Sequence, residues 1–192
     1  MSNKAKLFLI DGSAYIFRAY YGIRPLSTST GVPTNAVVGF ARMIARLIKE
    51  QAPEHIAIIF DTKEPNFRHE LFSEYKANRD APPEDLIPQF ALIRQLVEAM
   101  DILDLSMGGY EADDIIGTLA RKAKSENMDA VIVSSDKDLM QLVNDSVTMY
   151  DPMRDRVFDR DAVIEKFGVP PEYVADALAL AGDTSDNIPG VP

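Results

Sequence analysis

Three short, continuous apolar runs predict buried strands at separated points of the chain. They are Lys6–Ile10, Ile56–Phe60 and Ala130–Val133. Each run ends abruptly in polar residues, as expected for a strand that is covered on both faces of a parallel sheet. Weaker runs at Ile102–Leu105 and Val147–Tyr150 extend the predicted sheet.

Between these runs the apolar residues recur with the period of an α-helix. One broad apolar face extends from Val37 to Ile48, a second extends from Leu86 to Met100, and a third helix is predicted to begin near Tyr110. Strands that alternate with helices predict an α/β fold, in which a mostly parallel, Rossmann-like sheet has helices on both faces.

The stretch from Asp61 to Pro83 breaks this alternation. It interleaves acids with basic and aromatic residues, so its formal charge is close to neutral; the basic and aromatic members are Lys63, Phe67, Arg68, His69, Phe72, Tyr75, Lys76 and Arg79. An excursion out of the sheet and a solvated amphipathic helix with a loop explain this composition equally well.

Composition excludes several kinds of site. The chain has no cysteine and only two histidines, so disulfides, thiol catalysis and Cys-ligated zinc are excluded and imidazole metal sites are disfavoured. No apolar run is long enough to span a bilayer, and the N-terminal residues do not form a secretory signal. We therefore expect a cytoplasmic protein without a membrane partner.

Four aspartates lie directly after the predicted strands: Asp11, Asp61, Asp136 and Asp138. Each one alone is better explained as a turn residue or a helix N-cap. Ligands in open α/β sheets gather at the carboxyl ends of the strands, however, so three strands are expected to deliver these four acids to one edge.

Two further clusters bring the number of candidate acids to nine. Glu111, Asp113 and Asp114 begin a predicted helix, where capping explains one or two of them but not all three. Asp183 and Asp186 follow an apolar run and, taken alone, resemble capping residues in a loop. Nine crowded carboxylates would repel unless cations compensated them. Because oxygen ligands favour Mg²⁺ or Mn²⁺, two such ions are expected.

The net charge of −10 argues at first against a nucleic-acid partner, since such binders usually present a basic surface. The nine candidate acids account for most of that charge. If they bind divalent cations, the net charge no longer argues against a nucleic-acid partner.

With these residues assembled, the sequence resembles the 5′-nuclease domain at the N-terminus of bacterial DNA polymerase I, a member of the flap endonuclease superfamily. The resemblance covers essentially the whole chain. It is carried by six ordered blocks: Leu9–Ser13, Phe60–Asp61, Glu74–Arg79, Tyr110–Gly117, Ser135–Asp138 and Gly182–Gly190. Six blocks in one order are far more specific than any single block.

The resemblance implies a PIN-like sheet, two metal sites and a helical arch at residues 62–84 through which a single-stranded 5′ end passes. The implied ligands are Asp11, Asp61, Glu111, Asp113 and Asp114 for the first metal region, Asp136 and Asp138 between the sites, and Asp183 and Asp186 for the second. It also implies that Lys76 is the catalytic lysine and that Arg18 and Arg79 contact phosphates. Tyr15 and Tyr20 would offer ring faces to a displaced base, with ordinary helix packing as an equal alternative. The implied DNA-binding set is Tyr15, Arg18, Tyr20, Arg68, Lys76 and Arg79, and the implied catalytic set is Arg18, Lys76, Asp136 and Asp138.

The resemblance divides the chain into a PIN-like catalytic domain at residues 1–168 and the start of a helix-hairpin-helix DNA-binding region at residues 169–192. In relatives that region continues into a glycine-rich hairpin and a second helix, which grip duplex DNA with a K⁺ ion. We therefore expect either a piece of a longer protein that carries a polymerase, or a chain whose duplex binding is weakened or supplied elsewhere.

The implied function is structure-dependent 5′-nuclease activity in bacterial DNA replication and repair, both 5′-3′ exonuclease and 5′-flap endonuclease, by two-metal-ion hydrolysis that leaves a 5′-phosphate. The expected partner is DNA with a 5′ flap or a nick, including RNA-primed 5′ ends, at the nucleoid. Three alternatives stay open. A PIN-type ribonuclease explains the acids but not the arch segment, a non-catalytic DNA-structure-binding module needs no reaction, and a receiver-like signalling domain explains few of the acids.

Overall fold

A single mixed sheet forms the centre of the computed structural model, which describes residues 4–191. Its strands are β1 (Lys6–Asp11), β2 (His55–Ile59), β3 (Leu103–Leu105), β4 (Asp129–Val133), β5 (Val147–Asp151) and β6 (Arg156–Phe158). They lie in the order β3-β2-β1-β4-β5-β6, and every neighbouring pair is parallel except β5 and β6. The predicted fold class is confirmed, and β6 is the one strand of this sheet that the apolar runs did not predict.

Between residues 4 and 191, seven α-helices surround the sheet. They are α1 (Gly12–Gly22), α2 (Asn35–Gln51), α3 (Phe67–Leu71), α4 (Ile87–Ala99), α5 (Ala112–Ser125), α6 (Arg160–Phe167) and α7 (Val174–Ala181). Side chains alternate across β1, so that Phe8 and Ile10 pack with α1, α2 and α4, whereas Leu9 packs with α5, α6 and α7. Within residues 4–191, none of these helices has the length and apolar character needed to cross a membrane.

The arch segment, residues 62–84, contains one short helix, α3, followed by turns. The side chain of Asn66 caps α3 by accepting a hydrogen bond from the backbone N–H of Arg68 at 2.9 Å. Asn66 and Tyr75 are buried although most of the segment is exposed. The segment therefore lies against the body of the protein, and the passage of a 5′ end through it stays a prediction.

The loop after α7 is closed tightly at its base. The backbone N–H and carbonyl groups of Asp183 and Ile188 exchange two hydrogen bonds of 2.8 Å. A Cβ atom on Gly182, whose φ is +79°, would lie 2.4 Å from the backbone nitrogen of Gly190, and one on Gly190 would lie 2.5 Å from the carbonyl oxygen of Ala181. Only glycine fits at these two positions without moving the backbone.

Candidate metal centre

The predicted acidic clusters meet at the carboxyl ends of β1, β2 and β4. The strand register pairs Asp11 with Ile59 and Ile10 with Val133, so the three strands end at nearly the same level. The segments that follow β2 and β4 border a cavity of about 560 Å³. Six predicted acids line this cavity: Glu111, Asp113, Asp114, Asp136, Asp138 and Asp186.

Asp11 lies at the junction of β1 and α1. Its Oδ1 accepts a hydrogen bond from the backbone N–H of Ala14 at 3.0 Å, and its Oδ2 accepts one from the Ser134 hydroxyl at 2.8 Å. Burial raises the pKa of Asp11 to about 6 in spite of these bonds, and the nearby Asp61 and Asp136 raise it further. Asp11 is therefore both a helix cap and a member of the acidic site.

Asp113 shows most clearly how crowded the charges are. Burial, and then the carboxylates of Asp11, Asp136 and Asp61, hold its pKa well above its usual range. We call these four residues the deep acidic group. Asp61 also accepts a hydrogen bond from the backbone N–H of Ala112 at 2.8 Å, which fixes the start of α5 beside the end of β2.

Asp138, Asp183 and Asp186 form a second cluster, the loop acidic group. One carboxylate oxygen from each lies within 4.8 Å of the other two. The Lys137 ammonium donates to Asp183 at 2.5 Å and to Asp138 at 3.2 Å. Burial opposes ionisation of Asp183, but the hydrogen bonds from Lys137 and Ser185 outweigh it and lower the pKa of Asp183 to about 2.

Glu111 connects the acidic site to the arch segment. Its Oε1 accepts hydrogen bonds from Asn66 Nδ2 at 2.7 Å and from Lys76 Nζ at 2.6 Å. The Tyr75 hydroxyl lies 3.0 Å from both Glu111 Oε2 and Asp186 Oδ2, and Lys76 Nζ lies 4.0 Å from Asp186 Oδ2. Tyr75 and Lys76 therefore stand between Glu111 and the loop acidic group.

Two arginines of the arch segment are paired with acids. Arg68 makes a bidentate pair with Asp114 at 2.7 and 2.8 Å, and this pairing holds the pKa of Asp114 below its usual range. Arg79 pairs with Asp186 at 2.5 Å. Asp114, a predicted metal ligand, thus has a guanidinium partner, and a DNA contact by Arg68 would require that pair to open.

The predicted DNA-binding residues of α1 do not line the cavity. Arg18 donates to the buried carboxylate of Asp151 at 3.1 Å, and the Tyr20 hydroxyl donates to Asp85 at 2.6 Å. Tyr15 is only 1% exposed, with its ring enclosed in the core. The prediction that Tyr15 offers a ring face to a base is therefore corrected, because this side chain serves ordinary helix packing.

Five polar residues of the site were not predicted: Asn66, Tyr75, Ser134, Lys137 and Asp151. Ser134 and Lys137 are close neighbours of predicted acids in the sequence, and Asp151 ends the apolar run of β5 as Asp11 ends β1. These positions could have been found from the strand-end pattern. Asn66 carries no comparable signal, because its contact with Glu111 depends on how the arch segment folds back.

The donor set fits divalent metal ions. The two acidic groups consist of carboxylates alone, which are the oxygen ligands that Mg²⁺ and Mn²⁺ prefer. Burial and then the neighbouring carboxylates raise the pKa of Asp113, so a cation bound at the deep acidic group would favour the ionised form. The spacing of the loop acidic group would also allow three oxygens to share one ion.

Known proteins resemble this chain along almost its whole length. Residues 6–168 match the family described as 5′-3′ exonuclease, N-terminal resolvase-like domain. The chain is 50% identical to the DNA polymerase I of Rhizobium leguminosarum over 100% of its length, and it spans 20% of that protein. It is 42% identical over 96% of its length to the 5′-3′ exonuclease of Aquifex aeolicus, of which it spans 64%.

Solved structures show the same fold. The T5 D15 protein co-crystallized with metal ions aligns with 97% of this chain and 69% of its own, at a TM-score of 0.77 and 22% identity. A complex of the bacteriophage T5 D15 flap endonuclease with DNA and metal ions aligns with 97% of this chain and 70% of its own, at a TM-score of 0.77 and 23% identity. Since the family match extends over residues 6–168, the chain belongs to the 5′-3′ exonuclease N-terminal resolvase-like domain family.

Proposed function

We propose that this chain hydrolyses phosphodiester bonds at 5′ ends and 5′ flaps of DNA with two divalent metal ions, Mg²⁺ or Mn²⁺. The observation that carries the proposal is the meeting of carboxylates from separate chain segments in one cavity that basic residues of the arch segment also line. Family membership and the T5 complex with DNA and metal ions support it.

The two acidic groups are the proposed metal sites. Asp11, Asp61, Asp113 and Asp136 would hold one ion together with Glu111, and Asp138, Asp183 and Asp186 would hold the other. Asp136 and Asp138, two residues apart on one loop, would keep the sites close together. When bound, such ions lower the pKa of a water molecule and offset charge on the phosphate oxygens.

Lys76 is the proposed catalytic cation of the protein itself. Its ammonium lies 2.6 Å from Glu111 and 4.0 Å from Asp186. It would therefore be close enough to bind a scissile phosphate held between the two proposed metal sites. The phosphate would replace Glu111 as its hydrogen-bond acceptor. Because negative charge builds on the phosphate during hydrolysis, a fixed ammonium there stabilises the transition state. Arg18 would stabilise the phosphate in the same way only after its ion pair with Asp151 opens.

The proposed substrate is DNA with a 5′ flap or a nick, including RNA-primed 5′ ends. Arg79 and the arch segment would guide the single strand, and residues 169–192 would begin a helix-hairpin-helix region that holds the duplex with a K⁺ ion. The relatives named DNA polymerase I are about five times as long as this chain, so a polymerase attached to the same polypeptide is part of the proposal.

The test is incubation of a 5′-flap DNA, labelled on the flap, with Mg²⁺, with Mn²⁺ and with EDTA. We expect a short labelled product with either metal and none with EDTA. An Asp136→Asn variant should be inactive, which controls for contaminating nucleases. Flap binding in Ca²⁺ without cleavage in Mg²⁺ or Mn²⁺ would contradict the proposal, and preferential cleavage of a matched RNA flap would favour a PIN-type ribonuclease.

A further inference from the structure

Two asparagines tie the arch segment to the loop that carries Asp183 and Asp186. Asn78 Nδ2 donates to the carbonyl oxygen of Thr184 at 2.7 Å, and Asn187 Nδ2 donates to the carbonyl oxygen of Glu74 at 2.8 Å. Each asparagine thus reaches from its own segment to the backbone of the other. Neither side chain bonds to a carboxylate of the acidic groups.

Lys76 lies between these two attachments. Its backbone N–H donates to the carbonyl oxygen of Asp186 at 3.0 Å. Lys76 and Asn187 both have left-handed backbones, with φ of +56° and +58°. Residues other than glycine adopt this conformation at a cost, so surrounding contacts must hold it in place.

The loop is the firmer of the two partners. The hydrogen bonds between Asp183 and Ile188 and the close approach of Gly182 to Gly190 fix its base. The arch segment, in contrast, has only the five-residue α3 as regular structure. The loop can therefore serve as a template on which the segment is positioned.

We propose that Asn78 and Asn187 are positioning residues, a reciprocal clamp that holds Lys76 over the cavity by fastening the arch segment to the Asp183–Asp186 loop. The inference rests on the proposed function, in which Lys76 acts on the phosphate. It adds that the position of this lysine is set by backbone contacts with the loop, before any substrate is bound.

The variants are chosen to remove each donor with little other change. Asn78→Ala removes one attachment, and Asn187→Gly removes the other while keeping a residue that tolerates positive φ. Asn127→Gly is the matched control for the second, since Asn127 has φ of +57° away from the site. Asn144→Ala is the control for the first, because it removes a similar bond, from Nδ2 to the carbonyl oxygen of Leu142 at 2.9 Å, and in addition the one that its Oδ1 accepts from the backbone N–H of Ser146 at 2.9 Å.

The first measurement is limited trypsin digestion of the metal-free protein, followed by mass spectrometry. Trypsin cleaves after Lys76, which lies between the two attachments at Glu74 and Asn78, and after Arg79, the residue that follows them. Losing one net hydrogen bond should raise nicking there about fivefold, with the melting temperature and nicking elsewhere close to wild type. The two control variants should be nicked at the wild-type rate.

The second measurement is single-turnover cleavage of the 5′-flap DNA, with flap binding measured separately in Ca²⁺. Because small displacements of a catalytic group are costly, we expect cleavage to slow about 10-fold in Asn78→Ala and Asn187→Gly while the dissociation constant stays close to wild type. A loss of folded protein would lower the amount of DNA bound as well as the amount cleaved. The clamp instead predicts slower cleavage with an unchanged dissociation constant.

Wild-type nicking rates in both variants would overturn the clamp. Faster nicking with unchanged cleavage would show that the asparagines hold the segment but do not position Lys76, and would also overturn the proposal. If the wild-type chain cleaves no flap, the proposed function fails, and the trypsin measurement alone then upholds or overturns the clamp.

Discussion

The two acidic groups balance their charge in opposite ways. In the deep acidic group, burial and then the carboxylates of Asp11, Asp136 and Asp61 hold the pKa of Asp113 well above its usual range. In the loop acidic group, Lys137 bonds to Asp183, whose pKa falls to about 2, although burial and then Asp136 raise the pKa of Asp138. Among the described residues, no lysine or arginine hydrogen-bonds to the deep acidic group, whereas Lys137 bonds to the loop acidic group.

This difference suggests how each site would respond to metal. An ion that enters the deep acidic group would relieve repulsion between buried carboxylates, which favours binding. An ion that enters the loop acidic group must compete with Lys137 and with Arg79 on Asp186. We therefore expect the deep acidic group to bind Mn²⁺ more tightly in the absence of DNA.

The largest expected effect comes from Asp113→Asn. Removing this carboxylate weakens the proposed first metal site and should slow single-turnover cleavage by about 10³-fold. The same change removes a carboxyl group whose ionisation is opposed by burial and then by its acidic neighbours, so the metal-free variant should melt at a higher temperature than wild type at neutral pH. Asp145→Asn, at an exposed position, is the control. A metal-free variant less stable than wild type would show that the deep acidic group is not strained by its charge.

Lys76→Asn should slow cleavage by about 100-fold, because it removes the ammonium that lies between Glu111 and the loop acidic group. Asparagine is preferred here to alanine, since it tolerates the φ of +56° and separates loss of charge from backbone strain. Lys63→Asn, an exposed lysine of the same segment, should cleave at the wild-type rate. Equal rates in the two variants would exclude a catalytic role for Lys76.

Lys137→Gln tests the competition at the loop acidic group. Without the ammonium, Asp183 and Asp138 are free to bind an ion, so the weaker Mn²⁺ site should tighten by about 10-fold in DNA-free calorimetry. Lys122→Gln, on the exposed side of α5, should leave both sites unchanged. Weaker binding in Lys137→Gln would mean that the lysine assembles this group and does not compete with metal.

The smallest effect is expected from Tyr15→Phe, below the acidic site. The Tyr15 hydroxyl is buried without a hydrogen-bond partner among the described residues. Removing it should stabilise the fold by about 1 kcal/mol in denaturant unfolding and leave flap cleavage unchanged. A loss of stability would indicate that a water molecule satisfies this hydroxyl.

The strands and the acids that follow them were predictable because both depend on local sequence. A continuous apolar run such as Ile56–Phe60 indicates a buried parallel strand, and the acid after it must lie at the sheet edge. The pairing of Arg18 with Asp151 was not predictable, because it joins residues 133 positions apart through packing of α1. The enclosure of Tyr15 was missed for a related reason, since the periodicity of α1 does not show which face meets the sheet.

The arch segment was the least predictable part. Its mixed composition fitted two explanations equally well, and its structure is set by contacts with Glu111 and with the loop after α7. Such contacts depend on where two distant segments meet. Sequence therefore indicated the clustered acids better than the groups that hold them in place.

The paired glycines beneath Asp183 and Asp186 make this part of the site sensitive to a change of a single methyl group. Alanine at Gly182 or Gly190 would push apart the two backbone segments that meet where the loop closes. Both carboxylates and the carbonyl groups that hold the arch segment would then move together. A substitution that alters no charged residue would thus disperse the loop acidic group and release Lys76 at the same time.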